Sequence, residues 1–242
     1  MIPVSRSYKA EVSEWFAAAA AEAKRECRAC GGSGYVKVML IDFPPGEVSR
    51  RCDCLQRVNT ELLYRRGNLP RMFWGEPAGI EWDPAVVEFS RNLGERDRPA
   101  SGLFLVGSYG TGKTTHACRV LRDAAAIGMT IFRIEATEVE RALSLVKSRQ
   151  DWVDSWLQEG MLADVVSVDE MGVETVRGTC GREARSALSY YVKHRYEQGL
   201  PTVLCTNLED EEFTEHYGGA IASVVLGSGY VKLSFQGQDR RG

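Results

Sequence analysis

Hydrophobic positions along the chain fall into two patterns that alternate. Short apolar runs bounded by glycine or polar clusters occur at 103–106, 130–134, 164–170, 202–205 and 231–235. Runs this short, with little polar alternation, are what strands buried on both faces of a parallel sheet show. Between them lie stretches with helical spacing: 114–126 ending at Gly128, 138–147 with Val139, Leu143 and Val146 on one face, and 183–198. Two shorter ones follow at 210–216 and 219–226. Trp152, Trp156 and Leu157 share i, i+4 spacing and read as core side chains rather than a platform for a nucleobase. Strands alternating with helices predict an α/β fold with a central parallel sheet flanked by helices.

The first third of the chain is patterned differently. Residues 8–26 contain no Pro or Gly and place Val12, Trp15, Phe16 and Ala19 on one stripe, which predicts an amphipathic helix. That stripe either packs on the module that follows or offers itself to a partner. An apolar stretch then runs to Phe43, a turn is expected at Pro44-Pro45-Gly46, and residues 55–66 predict a further helix closed by Gly67. Leu69-Pro70 breaks the pattern, and 71–100, with Pro77, Pro84 and Pro99, reads as a connector carrying a helix over 84–94. The expected organisation is a small module over 1–70, a connector over 71–100 and an α/β domain over 101–242, with the boundary near 67–75.

Composition narrows this picture only slightly. A chain of 242 residues has room for one sizeable α/β domain and an accessory module. Apolar residues make up 44% and charged residues 26%, as in ordinary water-soluble proteins, and no apolar run reaches the roughly 20 residues of a membrane span. The Ala17–Ala21 run lacks the layout of a secretory leader, so a cytoplasmic protein is expected. Net charge is −3, spread as an excess of four positive charges over 1–75 and seven negative ones beyond. That argues against a surface built throughout for nucleic acid.

Candidate chemistry sits in four places. Gly107-Ser108-Tyr109-Gly110-Thr111-Gly112-Lys113-Thr114, followed by Thr115, is a full G-x-x-x-x-G-K-[ST] match between a predicted strand and a predicted helix. Its glycines let backbone amides turn toward phosphate oxygens at a helix N-terminus. Lys113 can reach the β- and γ-phosphates of ATP, and the Thr114 hydroxyl can ligate Mg²⁺. The run at 164–170 ends in Asp169-Glu170, where Asp169 can hold the Mg²⁺ shell and Glu170 can polarise an attacking water. An adjacent acid pair favours a hydrolysing ATPase over a small-molecule kinase or a GTPase. Asn207, after the run at 202–205, either orients that water and senses the γ-phosphate or simply fills a strand-to-helix turn.

The fourth place is Cys27-x-x-Cys30 with Cys52-x-Cys54, which hold four of the seven cysteines. Four thiolates on two knuckles are the ligand set of a closed, structural Zn²⁺ site; free thiols and an iron–sulfur cluster are the other readings. His116, His194 and His216 show no metal-ligand spacing and are given no chemistry.

Taken in order, CRACGGSGYV with RCDCLQRV, Leu69-Pro70, GSYGTGKTTHA, VVSVDEMGVE, KHRYEQGLPTVLCTNL and the terminal QDRR resemble a known family over nearly the whole chain. It is the AAA+ ATPases of the bacterial and phage replicative-helicase loader type, the DnaC and DnaI group, with the transposition ATPase IstB as close kin. The resemblance implies a P-loop AAA+ (ASCE) domain preceded by a small helical, zinc-ribbon module. It makes 107–115 the Walker A loop, Asp169 and Glu170 the Walker B pair, Asn207 sensor 1 and Arg240 the sensor 2 arginine. The implied partners are a hexameric replicative helicase, gripped by the N-terminal module, and single-stranded DNA, with self-association into rings or spirals and no membrane. The implied role is ATP-dependent helicase loading; an IstB-like ATPase assisting a transposase and an ATP-binding regulatory module with little hydrolysis are the alternatives.

One departure matters. Loaders of this type carry an arginine finger before the last strand, but Ile221-Ala222-Ser223-Val224-Val225-Leu226 stands here and no arginine occurs between Arg195 and Arg240. Such a finger is worth about 10³–10⁵ in rate, so slow hydrolysis by the isolated chain is expected, with Arg195 and Arg241 as the candidate substitutes.

Overall fold

The computed structural model describes residues 6–40, 46–95, 101–145, 158–174, 179–227 and 229–237. The chain divides into two compact units, Ile2–Arg66 and Gly67–Gly242. Each has its own architecture.

In the first unit, helix α1 (Arg6–Glu26) buries Val12 and half-buries Trp15, Phe16 and Ala19 while the residues between them are exposed. That is the expected stripe. Helix α2 (Asp53–Arg66) packs against it, with the Arg65 guanidinium 4.1 Å above the Trp15 ring. Between the two helices, β1 (Tyr35–Leu40) pairs antiparallel with β2 (Gly46–Arg51), from Tyr35 opposite Arg51 to Leu40 opposite Gly46. β2 has no counterpart among the predicted elements. Gly-Glu-Val-Ser-Arg-Arg holds a single apolar residue, so only pairing with β1 makes it a strand. Pro44 and Pro45 lie outside the described residues.

The second unit is a five-stranded parallel sheet in the order β4-β5-β6-β3-β7. Its strands are β3 (Gly102–Gly107), β4 (Ile131–Glu135), β5 (Val165–Met171), β6 (Thr202–Thr206) and β7 (Tyr230–Phe235). Each falls within a residue or two of a predicted run. β3, β4, β5 and β6 are buried almost without break, whereas β7, at an edge, exposes half of its residues. Helices α4 (Lys113–Ala126), α5 (Ala136–Leu145) and α7 (Thr179–Glu197) cover the faces, and among the described residues α6 runs over 158–162. Two short helices, α8 (Asp210–Tyr217) and α9 (Gly219–Val225), precede β7. The core joins Phe104, Ile134, Val168, Leu188, Leu204 and Phe213, all wholly buried. In the preceding segment, α3 (Pro84–Arg91) starts with proline in its first turn and is capped by Asp83, whose carboxylate accepts the Ala85 amide at 2.8 Å. Val146, Trp152, Trp156 and Leu157 lie outside the described residues. Among the described residues no helix is long and apolar enough to cross a membrane.

Strand order positions the chemistry. From β3 the chain crosses two strand positions to β4, returns through β5 and β6, and places β7 on the far side of β3. The C-terminal ends of β3, β6 and β5 therefore stand side by side, at the switch point where open α/β sheets hold their ligands.

Candidate nucleotide site and metal centre

The P-loop begins where β3 ends. A side chain at Gly107 would place its Cβ 2.2 Å from the Phe235 carbonyl oxygen of β7, so the loop can leave the sheet here only through glycine. Gly112 takes a φ of 101° and is the last residue before α4, which turns the amides of the first helical turn into the loop. The buried Thr111 hydroxyl braces the loop from within by donating to the Ser108 carbonyl at 2.9 Å. Lys113 is itself buried, its ammonium donating to the carbonyls of Gly107 at 2.7 Å and Ser108 at 2.8 Å and to Oδ1 of Asn207 at 2.8 Å. The three donors of the ammonium thus meet three acceptors around the space where phosphate oxygens would enter. Asn207 stands beside Lys113 because β6, which it follows, is the neighbour of β3.

β5 delivers the acid pair through a bulge. Val168 pairs with Leu204 and Met171 with Thr206, so β5 spends one residue more than β6 over this interval. Glu170 takes up the slack at a φ of 57°, a left-handed conformation that costs a non-glycine residue about 1–2 kcal/mol. The bulge separates the two acids: Asp169 is 3% exposed, whereas Glu170 is turned to solvent. Strain of this kind concentrates at working sites.

Asp169 is not alone. Its Oδ2 accepts from Nη2 of Arg133 at 2.9 Å, and its Oδ1 accepts the Glu170 amide at 3.0 Å. Arg133, on β4, also donates to Glu135 at 2.7 Å. Burial works against the charge of Arg133, but Asp169, Cys118 and Glu135 outweigh it and push the guanidinium above its usual value. The carboxylate keeps lone pairs beyond those two bonds, so Asp169 and Thr114 remain able to hold Mg²⁺ with a bound nucleotide, through an acid whose charge is already shared. Burial pushes the neighbouring Cys118 thiol up to about 12 and leaves it inert.

Two further groups at this end of the sheet carry no sequence signal. His116, on α4, is buried; its Nδ1 lies 2.9 Å from the Gly112 carbonyl and its Nε2 accepts the Asp83 amide at 3.3 Å. Only a neutral ring protonated at Nδ1 satisfies both, so this histidine ties the cap of α3 to the P-loop. Just beyond β5, Glu174 is 1% exposed and accepts from the Gly172 amide, the Tyr217 hydroxyl and His216. Burial, then the charge of Glu174, holds the Tyr217 phenol well above its ordinary value, so it stays a donor.

Arg195 does not serve as a finger. It is wholly buried, and its guanidinium donates to Oγ1 of Thr202 and to the carbonyls of Gly160, Met161, Ala163, Asp164 and Pro201. These bonds close the end of α6 and the entries to β5 and β6, at the opposite end of the strands from the P-loop. α9, where a finger was expected, turns Ile221, Ala222 and Val225 into the core. Arg240 and Arg241 lie outside the described residues.

In the first unit the four cysteines converge. All four sulfurs lie within 4.8 Å of one another, with Cys27 to Cys52 at 3.5 Å and Cys30 to Cys54 at 3.7 Å. Tetrahedral Zn–S bonds of about 2.3 Å require sulfur separations of about 3.8 Å, which this set nearly has. The hairpin supplies the convergence: the Cys52 amide donates to the Gly34 carbonyl at 2.9 Å, closing the two knuckles on each other. Cys54 enters from the first turn of α2, which accommodates the shorter C-x-C half. The Gly34 amide donates to Cys30 sulfur at 3.3 Å. Desolvation opposes a thiolate at Cys30, but the Gly34 and Gly32 amides and neighbouring thiols outweigh it and bring Cys30 down to about 7. Desolvation and the three other thiols push Cys54 up to about 12. The donor set fits a closed Zn²⁺ site that would release protons on filling.

Comparison with known proteins agrees with this geometry. No curated protein sequence matches the chain. Among solved structures, DnaI is similar at a TM-score of 0.55 and 18% identity, over 73% of this chain and 100% of that one. The DnaC helicase loader follows at 0.54 and 18%, over 69% and 100%. DnaA of Aquifex aeolicus bound to AMPPCP gives 0.51 and 17%, over 62% of this chain and 44% of its own. At these identities the likeness is one of fold: a central parallel sheet flanked by helices, with the P-loop following its first strand. The sequence model described as "IstB-like ATP binding protein" matches residues 97–227, from just before β3 to the end of α9, and more than half of the chain. The protein is a member of the IstB-like ATP-binding family.

Proposed function

We propose that the protein is an ATP-dependent loader that places a hexameric replicative helicase on single-stranded DNA. The observation that carries the ATPase half is the convergence of Lys113 and Asn207 at 2.8 Å beside the bulged Asp169-Glu170 turn. An incoming γ-phosphate would take over the donors that Lys113 now gives to Gly107 and Ser108. Asn207 would then be released to orient water, and Glu170, held outward by the bulge, would accept its proton. Mg²⁺, held through Thr114 and Asp169, would supply neutralisation of the phosphate oxygens. Hydrolysis by the isolated chain is slow, because Arg195 is committed to backbone carbonyls and α9 offers no arginine.

The loader half rests on the cysteine unit preceding the ATPase unit and on the fold likeness to a protein described as a helicase loader. Zn²⁺ at Cys27, Cys30, Cys52 and Cys54 would fix the hairpin and α2 as a rigid gripping surface. The deciding experiment mixes the purified protein with replicative helicases, with and without ATP, and measures the mass of any complex. A nucleotide-dependent complex is expected; none under any nucleotide condition overturns the loader reading. The second reading, an ATPase assisting a transposase, is favoured by the family match itself. It is recognised by oligomers whose size follows the length of duplex DNA.

A further inference from the structure

Among the charged groups around the P-loop, Arg133 has no place in the hydrolysis scheme, yet it is the one bonded to the key carboxylate. It is 6% exposed, it lies on an edge strand, and its fork spans Asp169 at 2.9 Å and Glu135 at 2.7 Å. Its backbone is pinned on both sides: the Arg133 amide donates to the Gly67 carbonyl at 2.8 Å, and Asn68 donates to the Arg133 carbonyl at 3.4 Å. The guanidinium is therefore held where it is and does not swing in as a flexible surface arginine would.

A buried arginine retained only for packing is expected to satisfy its fork from neutral groups, as Arg195 does from five carbonyls and a hydroxyl. Arg133 instead spends its bonds on two acids and leaves the buried Nε without an acceptor among the described residues. The consequence is electrostatic. Metal-free ATP entering this cradle would meet the charges of Asp169 and Glu170 at short range, and in most such sites a divalent cation must come with it to offset them. Here a fixed cation already offsets Asp169. For the same reason a divalent ion gains less from an aspartate that it must share.

We infer that Arg133 is a resident counter-ion of the phosphate site, which lets the protein hold nucleoside triphosphate with little dependence on a divalent cation. This rests on the reading of residues 107–115 as a nucleotide cradle. Both effects compress the ratio of affinities with and without Mg²⁺, one by raising metal-free binding and the other by weakening the metal's contribution.

The test is binding of fluorescent N-methylanthraniloyl-ATP to the full chain, followed by anisotropy with excess Mg²⁺ and in buffer stripped of divalent ions beforehand. No chelator is added, so the cysteine cluster stays undisturbed. The wild-type protein is expected to bind in both buffers, with affinities within about tenfold. Arg133→Met should widen the ratio by about tenfold or more, chiefly through lost metal-free binding, the scale of removing one unit charge several ångström away in a partly buried site. Arg133→Lys keeps the charge and should stay near the wild-type ratio. An unchanged ratio in a folded Arg133→Met overturns the inference while leaving the nucleotide reading intact. So does a wild-type ratio above about tenfold, which needs no variant and serves if Arg133→Met fails to fold. Absence of binding in both buffers overturns the nucleotide reading and this inference with it.

Discussion

Two buried arginines, one at each end of the same parallel sheet, have opposite surroundings. Arg195 sits where β5 and β6 begin, donates to no carboxylate among the described residues, and spends its donors on backbone carbonyls and one threonine hydroxyl. Arg133 sits in the middle of β4 and its guanidinium reaches two acids, Glu135 and Asp169, at the ends of β4 and β5. Burial pulls Arg195 below its ordinary value, whereas carboxylate neighbours outweigh burial at Arg133. The entry end of the sheet is thus closed with neutral partners that no ligand need displace. The exit end is left with charge that a ligand can reorganise. One end is built for stability and the other for binding, and each can be broken without the other.

The largest expected effect is on the entry end. Arg195→Met leaves several buried carbonyls without a donor and should cost on the order of 3–5 kcal/mol. A thermal melt should show a fall in the midpoint of about 10 °C. Nucleotide affinity, measured well below that transition, should stay within about twofold of wild type, since no Arg195 partner touches the P-loop. A melting midpoint that does not move, with activity lost, would instead return Arg195 to the role of a finger.

The converse variant is Lys113→Ala. It removes the cation whose ammonium lies inside the loop and should weaken ATP binding by about 100-fold or more, the scale of losing a charge-assisted phosphate contact. Stability should change by less than about 1 kcal/mol, because Gly107 and Ser108 carbonyls at the loop can turn to water. If Lys113→Ala melts far below wild type, the two ends are not separable in the way their chemistry indicates.

The chain announces one end far more openly than the other. A P-loop needs glycines at set positions followed by Lys-Thr, and the acid pair needs a strand to carry it, so both are local patterns. The strands of the sheet are legible for the same reason, because burial on both faces leaves apolar runs. Arg133 and Arg195 are not local. Arg133 reads as a flaw in the run Ile131–Ile134 until Asp169, on the neighbouring strand, is seen opposite its end. Arg195 reads as a helix-end basic residue, hence a finger candidate, until α6 and the entry to β6 close around it. β2 was hidden because its sequence is polar and only the cysteine-bearing hairpin makes it a strand. Glu174 and His116 were hidden because each is defined by partners on other elements.

Glu174 probes the exit end more gently. Glu174→Gln keeps the shape but turns an amide nitrogen toward groups that donate to the carboxylate: the Gly172 amide, the Tyr217 hydroxyl and His216. A loss of about 1–2 kcal/mol is expected. Gly172 follows the bulge by two residues, so the disturbance should reach Glu170: turnover should fall more than ATP affinity does. Equal loss of both, or of neither, would confine Glu174 to holding α8.

The smallest expected effect is at His116, and it tests how far the exit end extends. The imidazole is the link between the Asp83 amide and the Gly112 carbonyl, and Gly112 sets the first turn of α4. His116→Phe preserves the edge-on packing against Trp82 and Phe235 but removes both hydrogen bonds. The Asp83 amide then loses its acceptor, at a cost of about 1 kcal/mol. Because the loop geometry rests mainly on Thr111 and the glycines, ATP affinity should fall only a few-fold. Asparagine can accept but cannot span both partners, so His116→Asn should be no better than phenylalanine in binding and worse in melting. An ATP affinity and a melting midpoint both unchanged in His116→Phe would mean that the ring acts through packing alone, and that the segment carrying α3 is not wired to the phosphate loop.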